Sequence, residues 1–219
     1  MKKLFTLILI SCCLVVSAQH TIEIKHNYYT LEFDTILKSP LISWYIQTTA
    51  HANSTTKIDR KSVAAFHSDP LILPKYRVAS DLTYKNNGKY DKGHLSPYSA
   101  FYFDLTAAKE SMYYENTAPQ ISFFNEHAWE KLEQYVLKTL APENDSIYVY
   151  TGCLYGKSTM TGVPVPDYYW KYISYKGHTE AWLAKNEPTS LTDYINYAIP
   201  SEALKTVILQ YYPNLKLPF

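Results

Sequence analysis

The stretch Asp91-Lys92-Gly93-His94-Leu95-Ser96-Pro97 sets a cation and an imidazole two residues apart. On an extended segment side chains alternate, so Lys92 and His94 project to one face and Asp91 to the other. Gly93 between them leaves room for close approach of backbone or ligand. A cation beside an imidazole suits an anionic substrate, and imidazole is the usual general base near neutral pH. Taken alone, a single histidine is more often a hydrogen-bonded structural residue than a catalyst.

A second stretch reads Glu115-Asn116-Thr117-Ala118-Pro119-Gln120, followed by Asn125-Glu126-His127-Ala128-Trp129-Glu130-Lys131-Leu132-Glu133. Asn125, Trp129 and Glu133 stand at i, i+4 and i+8, so on a helix they share one side. An apolar Trp129 in the core would leave Asn125 and Glu133 near the core edge. In isolation, Asn125 reads as a helix N-cap and Glu133 as a solvated face residue.

The surrounding elements must hold these stretches together. Residues 21–33 and 41–48 are rich in β-branched and aromatic residues and read as strands. Residues 50–90 are polar and irregular, with Pro70, Pro74 and the turn Asn86-Asn87-Gly88; loops of this length are often functional. A short strand is predicted over 90–97, ending at Pro97, and a short helix over 106–113 with Thr106 as N-cap. The clearest helix runs from about Asn125 to Leu140, where Trp129, Leu132, Val136 and Leu140 recur at three- and four-residue spacing. Pro142 ends it. Residues 146–150 predict a strand stopping at Thr151-Gly152, and residues 168–175 another reaching the turn Lys176-Gly177. A closing helix is predicted over 202–211. With neither repeat nor linker, the chain reads as one α+β domain over 19–219.

Together these residues resemble the DNA/RNA non-specific endonucleases of the ββα-metal, or His-Me finger, class. That family carries Asp-Arg-Gly-His, then Asn-x-x-Pro-Gln some twenty residues on, then Asn-x-x-x-Trp-x-x-x-Glu. Here the pattern is Asp91-Lys92-Gly93-His94, then Asn116 to Gln120, then Asn125, Trp129 and Glu133. Thr151-Gly152, and Val165-Pro166 leading to Trp170-Lys171, also look like the family's later strands, so the resemblance covers roughly residues 41–175. It implies a central antiparallel sheet with packed helices and a ββα-metal finger carrying the active site. It also implies that His94 is the general base that deprotonates water for attack on a phosphodiester, and that Asn125 is the one protein ligand of Mg²⁺, with Mn²⁺ or Ca²⁺ able to serve. One protein ligand suits Mg²⁺, which keeps several waters.

The family's Arg beside the His is Lys92 here, a point charge instead of a planar fork. The family's upstream Arg matches Arg60, with Phe66 and Asp69, and Arg77 is the runner-up. Lys92 and Arg60 would add positive charge where the transition state becomes negative. Glu133 stands roughly 12 Å along the axis from Asn125 at ~1.5 Å per residue, too far to share one ion directly. It is therefore assigned to holding a water of the ion's hydration shell. Asn116 and Gln120 buttress the site by hydrogen bonds, and Asp91 is structural. The rival readings are a nucleic-acid-binding module without chemistry and a phosphodiesterase acting on small nucleotides.

Composition bounds the partners. The chain has 219 residues, 21 Lys+Arg against 20 Asp+Glu, and a formal charge of +1. It therefore has no bulk attraction for a polyanion, and a basic surface for nucleic acid must be local, among Lys57, Arg60, Lys61, Lys75, Arg77, Lys85, Lys89 and Lys92. Nothing here reads base edges, so no sequence specificity is expected. The 47% apolar content suffices for a core. Lys2 and Lys3 before the apolar run 4–16, and the small residues Ser17 and Ala18, read as a secretory signal peptide cleaved after Ala18. The expected location is secreted or periplasmic. Leu9-Ile10-Ser11-Cys12 offers a less favoured lipid anchor at Cys12. After cleavage only Cys153 is left, so neither an internal disulfide nor a cysteine metal site is available. No histidine pair has zinc spacing.

Overall fold

The computed structural model describes residues 20–63, 65–77, 79–84, 88–217 and 219, and only the backbone of Leu82. The signal segment, Cys12, Lys85, Asn86 and Asn87 lie outside the described residues. Among the described residues nine strands follow in chain order: β1 (Thr21–Lys25), β2 (Tyr29–Asp34), β3 (Ser39–Gln47), β4 (Tyr90–His94), β5 (Thr117–Ile121), β6 (Ile147–Met160), β7 (Val163–Tyr175), β8 (His178–Lys185) and β9 (Ala198–Ile199). Seven form one antiparallel sheet in the order β1-β2-β3-β6-β7-β8-β9, while β4 and β5 pair with each other as a separate hairpin. The fold is α+β, as the sequence predicts.

The turns follow from backbone chemistry. Lys176 (φ 46°) and Gly177 (φ 79°) join β7 to β8, and Thr161 (φ 52°) and Gly162 (φ 84°) join β6 to β7. Two successive left-handed residues match the right-handed twist of the strands they join. The predicted stop at Thr151-Gly152 does not occur, because β6 runs on to Met160. Gly152 serves close packing: a Cβ there would collide with the Trp170 ring and lie 2.6 Å from the Leu41 carbonyl oxygen.

β7 is buried on both faces, which is why Tyr169, Trp170 and Lys171 are all inaccessible in one strand. Alternation sends Tyr169 and Lys171 to one side and Trp170 and Tyr172 to the other. On the first side Tyr169 meets Phe124 and Trp129, and its hydroxyl donates to the Ala118 carbonyl at 2.8 Å. On the second, Phe219 stacks on Tyr172 at 4.1 Å and meets Trp170. The helix Ser201–Tyr211 lies on that side too, with Tyr211 edge-on to Tyr168.

The long helix spans residues 122–140, three residues earlier than its apolar spacing predicts. Asn125 is therefore inside it, with helical φ −59° and ψ −50°, and is not an N-cap. The apolar stripe Trp129, Leu132, Val136 and Leu140 is buried as predicted, each such side chain contributing about 1.5–3 kcal/mol. Two segments, Asn125–Trp129 and Tyr135–Leu140, are wound more widely than an α-helix. In the first the Glu130 N–H reaches back to the Asn125 carbonyl. Such wide turns concentrate at functional sites. The shorter helix is Leu105–Ser111, and its cap is Asp104, whose carboxylate accepts from the Ala107 N–H at 2.9 Å.

Candidate functional site

Strands β4 and β5 and the helix over 122–140 follow each other in space as a ββα unit. The register pairs Asp91 with Gln120 and His94 with Thr117. At the strand–helix junction the Asp91 carboxylate joins both partners: Ser122 Oγ donates to Oδ1 at 2.8 Å and Asn125 Nδ2 donates to Oδ2 at 2.9 Å. The first bond ties the helix start to β4. The second fixes which way the Asn125 amide faces, leaving its carbonyl oxygen free to ligate.

Lys92 and His94 share the opposite face of β4, as alternation requires, and both meet the Phe66 ring. The Lys92 ammonium lies 4.8 Å from its centroid, and the His94 ring centroid 5.2 Å from it. The Arg60 guanidinium is 5.8 Å from the same ring and 5.7 Å from that of Tyr98. Arg60 is held there by its own loop: Asp59 caps the turn Arg60–Ser62, and Tyr98 Oη donates to the Ile58 carbonyl at 2.7 Å. His94 is half-buried, and its Nε2 is buried without a hydrogen-bond partner. Burial, together with the Arg60 and Lys92 charges, pushes its pKa down to about 3. The imidazole is therefore neutral and basic in form through the physiological range.

Glu133 is half-buried two turns beyond Asn125. Burial raises its pKa, with Lys171 and Arg60 opposing that shift. Lys171 is completely inaccessible, donates to Thr151 Oγ1 at 2.9 Å and lies 5.0 Å from the Trp129 ring centroid. Burial lowers its pKa, with Glu133 opposing.

The remaining sequence candidates divide. Asn116 is inaccessible and clamps the segment after His94: its Oδ1 accepts from the Ser96 N–H at 3.0 Å, and its Nδ2 donates to the Ser96 and Ser111 carbonyls at 2.8 and 2.9 Å. Gln120 is also inaccessible, but neither of its amide atoms has a hydrogen-bond partner. It buttresses by contact, against the predicted hydrogen bonding, because a Cβ on Gly93 would collide with Gln120 Oε1. Arg77 turns to a different cluster, donating from Nη2 to the Asp69 carbonyl at 2.6 Å near the buried Glu115. Asp69 itself pairs with His26 at 2.9 Å. These groups join the β1–β2 turn to the polar loop. Cys153 is buried, and burial raises its thiol pKa.

Asp91 is structural, as the sequence reading has it, holding both Ser122 and Asn125, whereas Lys171 beside Thr151 and Trp129 was not singled out. For Asp91 the signal was its place beside Lys92 on the face away from His94, which is where the helix lands. A lysine between Trp170 and Tyr172 in an apolar strand was the signal for Lys171.

Among the described residues, no group of three or more His, Cys, Asp or Glu side chains is set to hold a metal ion. The Asn125 amide oxygen is a neutral oxygen donor, which fits a hard cation that keeps several waters, as Mg²⁺ does.

A ββα unit that carries a histidine, two flanking cations and an asparagine whose amide oxygen is left unbonded is the arrangement of the nuclease class to which the fold points. The family model for DNA/RNA non-specific endonucleases matches residues 15–212, and the chain belongs to that family. It is 32% identical over 95 residues to mitochondrial endonuclease G of Bos taurus, covering 43% of this chain and 31% of that protein. It is 26% identical over 162 residues to a nuclease of Serratia marcescens, covering 69% and 58%. The matches thus span about a third to three-fifths of these relatives' lengths. The structure of an EndoG/EndoGI complex superposes with a TM-score of 0.75 at 26% identity, over 85% of this chain and 83% of that one.

Proposed function

We propose that this chain is a secreted, Mg²⁺-dependent endonuclease that hydrolyses phosphodiester bonds of DNA and RNA without reading sequence. The observation that carries the reading is the Asp91–Asn125 bond, which frees one oxygen ligand on the helix while unpartnered His94 Nε2 stands on the other face of the same strand. His94 takes the proton of the attacking water at Nε2. Arg60 and Lys92, gathered at the Phe66 ring, meet the negative charge the phosphorus centre gains. Asn125 would hold the ion, which when bound neutralises phosphate and leaving-group charge. Glu133 accepts a hydrogen bond from water on the same side of the helix. Mn²⁺ would serve the same oxygen donor. The family membership and the relatives named as nucleases support the same reaction class.

The test is incubation of residues 19–219 with supercoiled plasmid and with RNA, in Mg²⁺ or EDTA, beside His94→Ala and Asn125→Ala. Metal-dependent loss of both polymers, abolished in both variants, supports the reading; intact polymers with a folded, Mg²⁺-loaded protein overturn it. Secretion has its own test, the mass of the mature N-terminus: Gln19 marks cleavage after Ala18 and a lipidated Cys12 marks anchoring. Among the described residues no helix is long and apolar enough to cross a membrane.

A further inference from the structure

Lys92 does not stand open to solvent. Three aromatic rings lie near its ammonium: Phe66 at 4.8 Å, Tyr84 at 5.4 Å and Tyr114 at 5.9 Å to the centroids. Asp81 meets it as well, with Oδ1 3.1 Å from Lys92 Nζ. The Tyr114 hydroxyl also lies within hydrogen-bond reach of the Asp81 carboxylate. Tyr114 is buried, whereas the Asp81 side chain is 67% exposed. The Asp81 carboxylate thus interacts with both the Lys92 ammonium and the Tyr114 hydroxyl, and of the three groups it is the most exposed.

An ammonium beside a phenol hydroxyl is a seat for two oxygens of an anion. A carboxylate and a phosphate present the same pair of oxygens at similar spacing, and both accept charge-assisted hydrogen bonds. Of the two cations gathered at Phe66, Lys92 is the one this carboxylate meets.

We propose that the Asp81 carboxylate occupies the seat of a substrate phosphate on Lys92 and Tyr114, as an acidic plug that nucleic acid must displace. The plug leaves by rotation of the Asp81 side chain, since an exposed ion pair holds it with little energy. This also gives Lys92 a use that a guanidinium lacks. The compact ammonium fits among the three rings, and it presents one charge to one phosphate. The inference rests on the nuclease reading for its ligand but not for its geometry.

The experiment measures binding apart from cleavage. A short fluorescent DNA duplex is titrated with the wild type, Asp81→Asn, Lys92→Gln and the double variant, in EDTA, across a series of salt concentrations; cleavage by the wild type in Mg²⁺ is followed in parallel. Releasing Lys92 to one phosphate should tighten binding about two- to fivefold, the range of an exposed ion pair. Lys92→Gln, which removes that phosphate contact, should flatten the slope of log K against log salt by about 0.9. In the Lys92→Gln background, Asp81→Asn should leave the slope unchanged. Equal tightening in both backgrounds would reduce Asp81 to a general surface charge and overturn the plug. So would an unchanged Asp81→Asn. A wild type that cleaves while Asp81→Asn binds no better removes the plug and leaves the nuclease reading standing. A wild type that neither cleaves nor binds, with binding regained in Asp81→Asn, does the reverse.

Discussion

Asn125 and Asp91 are joined by one 2.9 Å hydrogen bond, from the amide nitrogen of the first to Oδ2 of the second, across the junction of strand and helix. Because Asp91 also accepts from Ser122 Oγ at 2.8 Å, one carboxylate sets both the start of the helix and the orientation of the Asn125 amide. An ionised carboxylate only accepts, so it selects the amide nitrogen and turns the oxygen outward.

Removing that selection should weaken ion binding before it weakens the fold. Asp91→Asn is expected to raise the Mg²⁺ concentration needed for half-maximal cleavage about 10–100-fold, the usual cost of losing a partner behind a metal ligand. Ser122→Ala, which leaves the Asn125 bond in place, should change that requirement far less. Titration of cleavage with Mg²⁺ compares the two, and equal requirements would mean that the Asp91 bond does not orient the ligand.

His94→Ala should reduce single-turnover cleavage by about 10²–10⁴-fold, the typical contribution of a general base. Stability supplies a second readout. In the unfolded chain a histidine titrates near ~6.5, whereas here burial and two cations hold its pKa down to about 3. The folded state therefore resists a proton that the unfolded state takes up. The stability contributed by neutral His94 is present above the unfolded value and is lost as pH falls from there toward the folded value. Urea unfolding across that range should show a shallower pH dependence in His94→Leu than in the wild type.

Arg60 and Arg77 should separate by phenotype. Arg60 is exposed and meets the Phe66 and Tyr98 rings, so Arg60→Ala should lower turnover with little change in Tm. Arg77 donates to the Asp69 carbonyl beside buried Glu115, so Arg77→Ala should lower Tm first. Thermal melts and initial rates on both variants check this, and the opposite assignment would move the assisting cation to Arg77.

The sequence made the chemistry more legible than the geometry behind it. The buried stripe from Trp129 to Leu140 follows from local spacing, because a helix repeats on its own, and the shared face of Lys92 and His94 follows from strand alternation; the roles expected of His94 and Asn125 come from the motifs' resemblance to the family. The helix start was misplaced because Ser122 is secured by a carboxylate 31 residues away, which no local cap signal reveals. β6 continues through Gly152 because Trp170, across the sheet, needs that space. The surroundings of Lys92 bring together residues 66, 81, 84, 92 and 114, and only tertiary packing brings such distant positions to one ammonium.

Lys171 is a fully buried charged residue beside the site, and its role is the sharpest of these to test. A lysine ammonium is costly to bury, yet here it is inaccessible on β7, donates to Thr151 and lies against the Trp129 ring. Glu133, one turn beyond Trp129, is the carboxylate its charge opposes, since burial alone would drive Glu133 further toward its neutral form. Because the Glu133 pKa is raised, its stabilising contribution is present in acid and is lost as pH rises above the ordinary carboxylate range of about 4.3. Lys171→Met removes the opposing charge, which should have two consequences. Destabilisation relative to wild type should grow with rising pH, as the ionised form of Glu133 loses the charge that opposes its burial. The acid limb of the cleavage profile should also move to higher pH, because the ionised carboxylate is then formed later. Glu133→Gln added to Lys171→Met should recover stability, by removing the uncompensated charge, without recovering turnover. A Lys171→Met enzyme with the wild-type acid limb would confine Lys171 to packing.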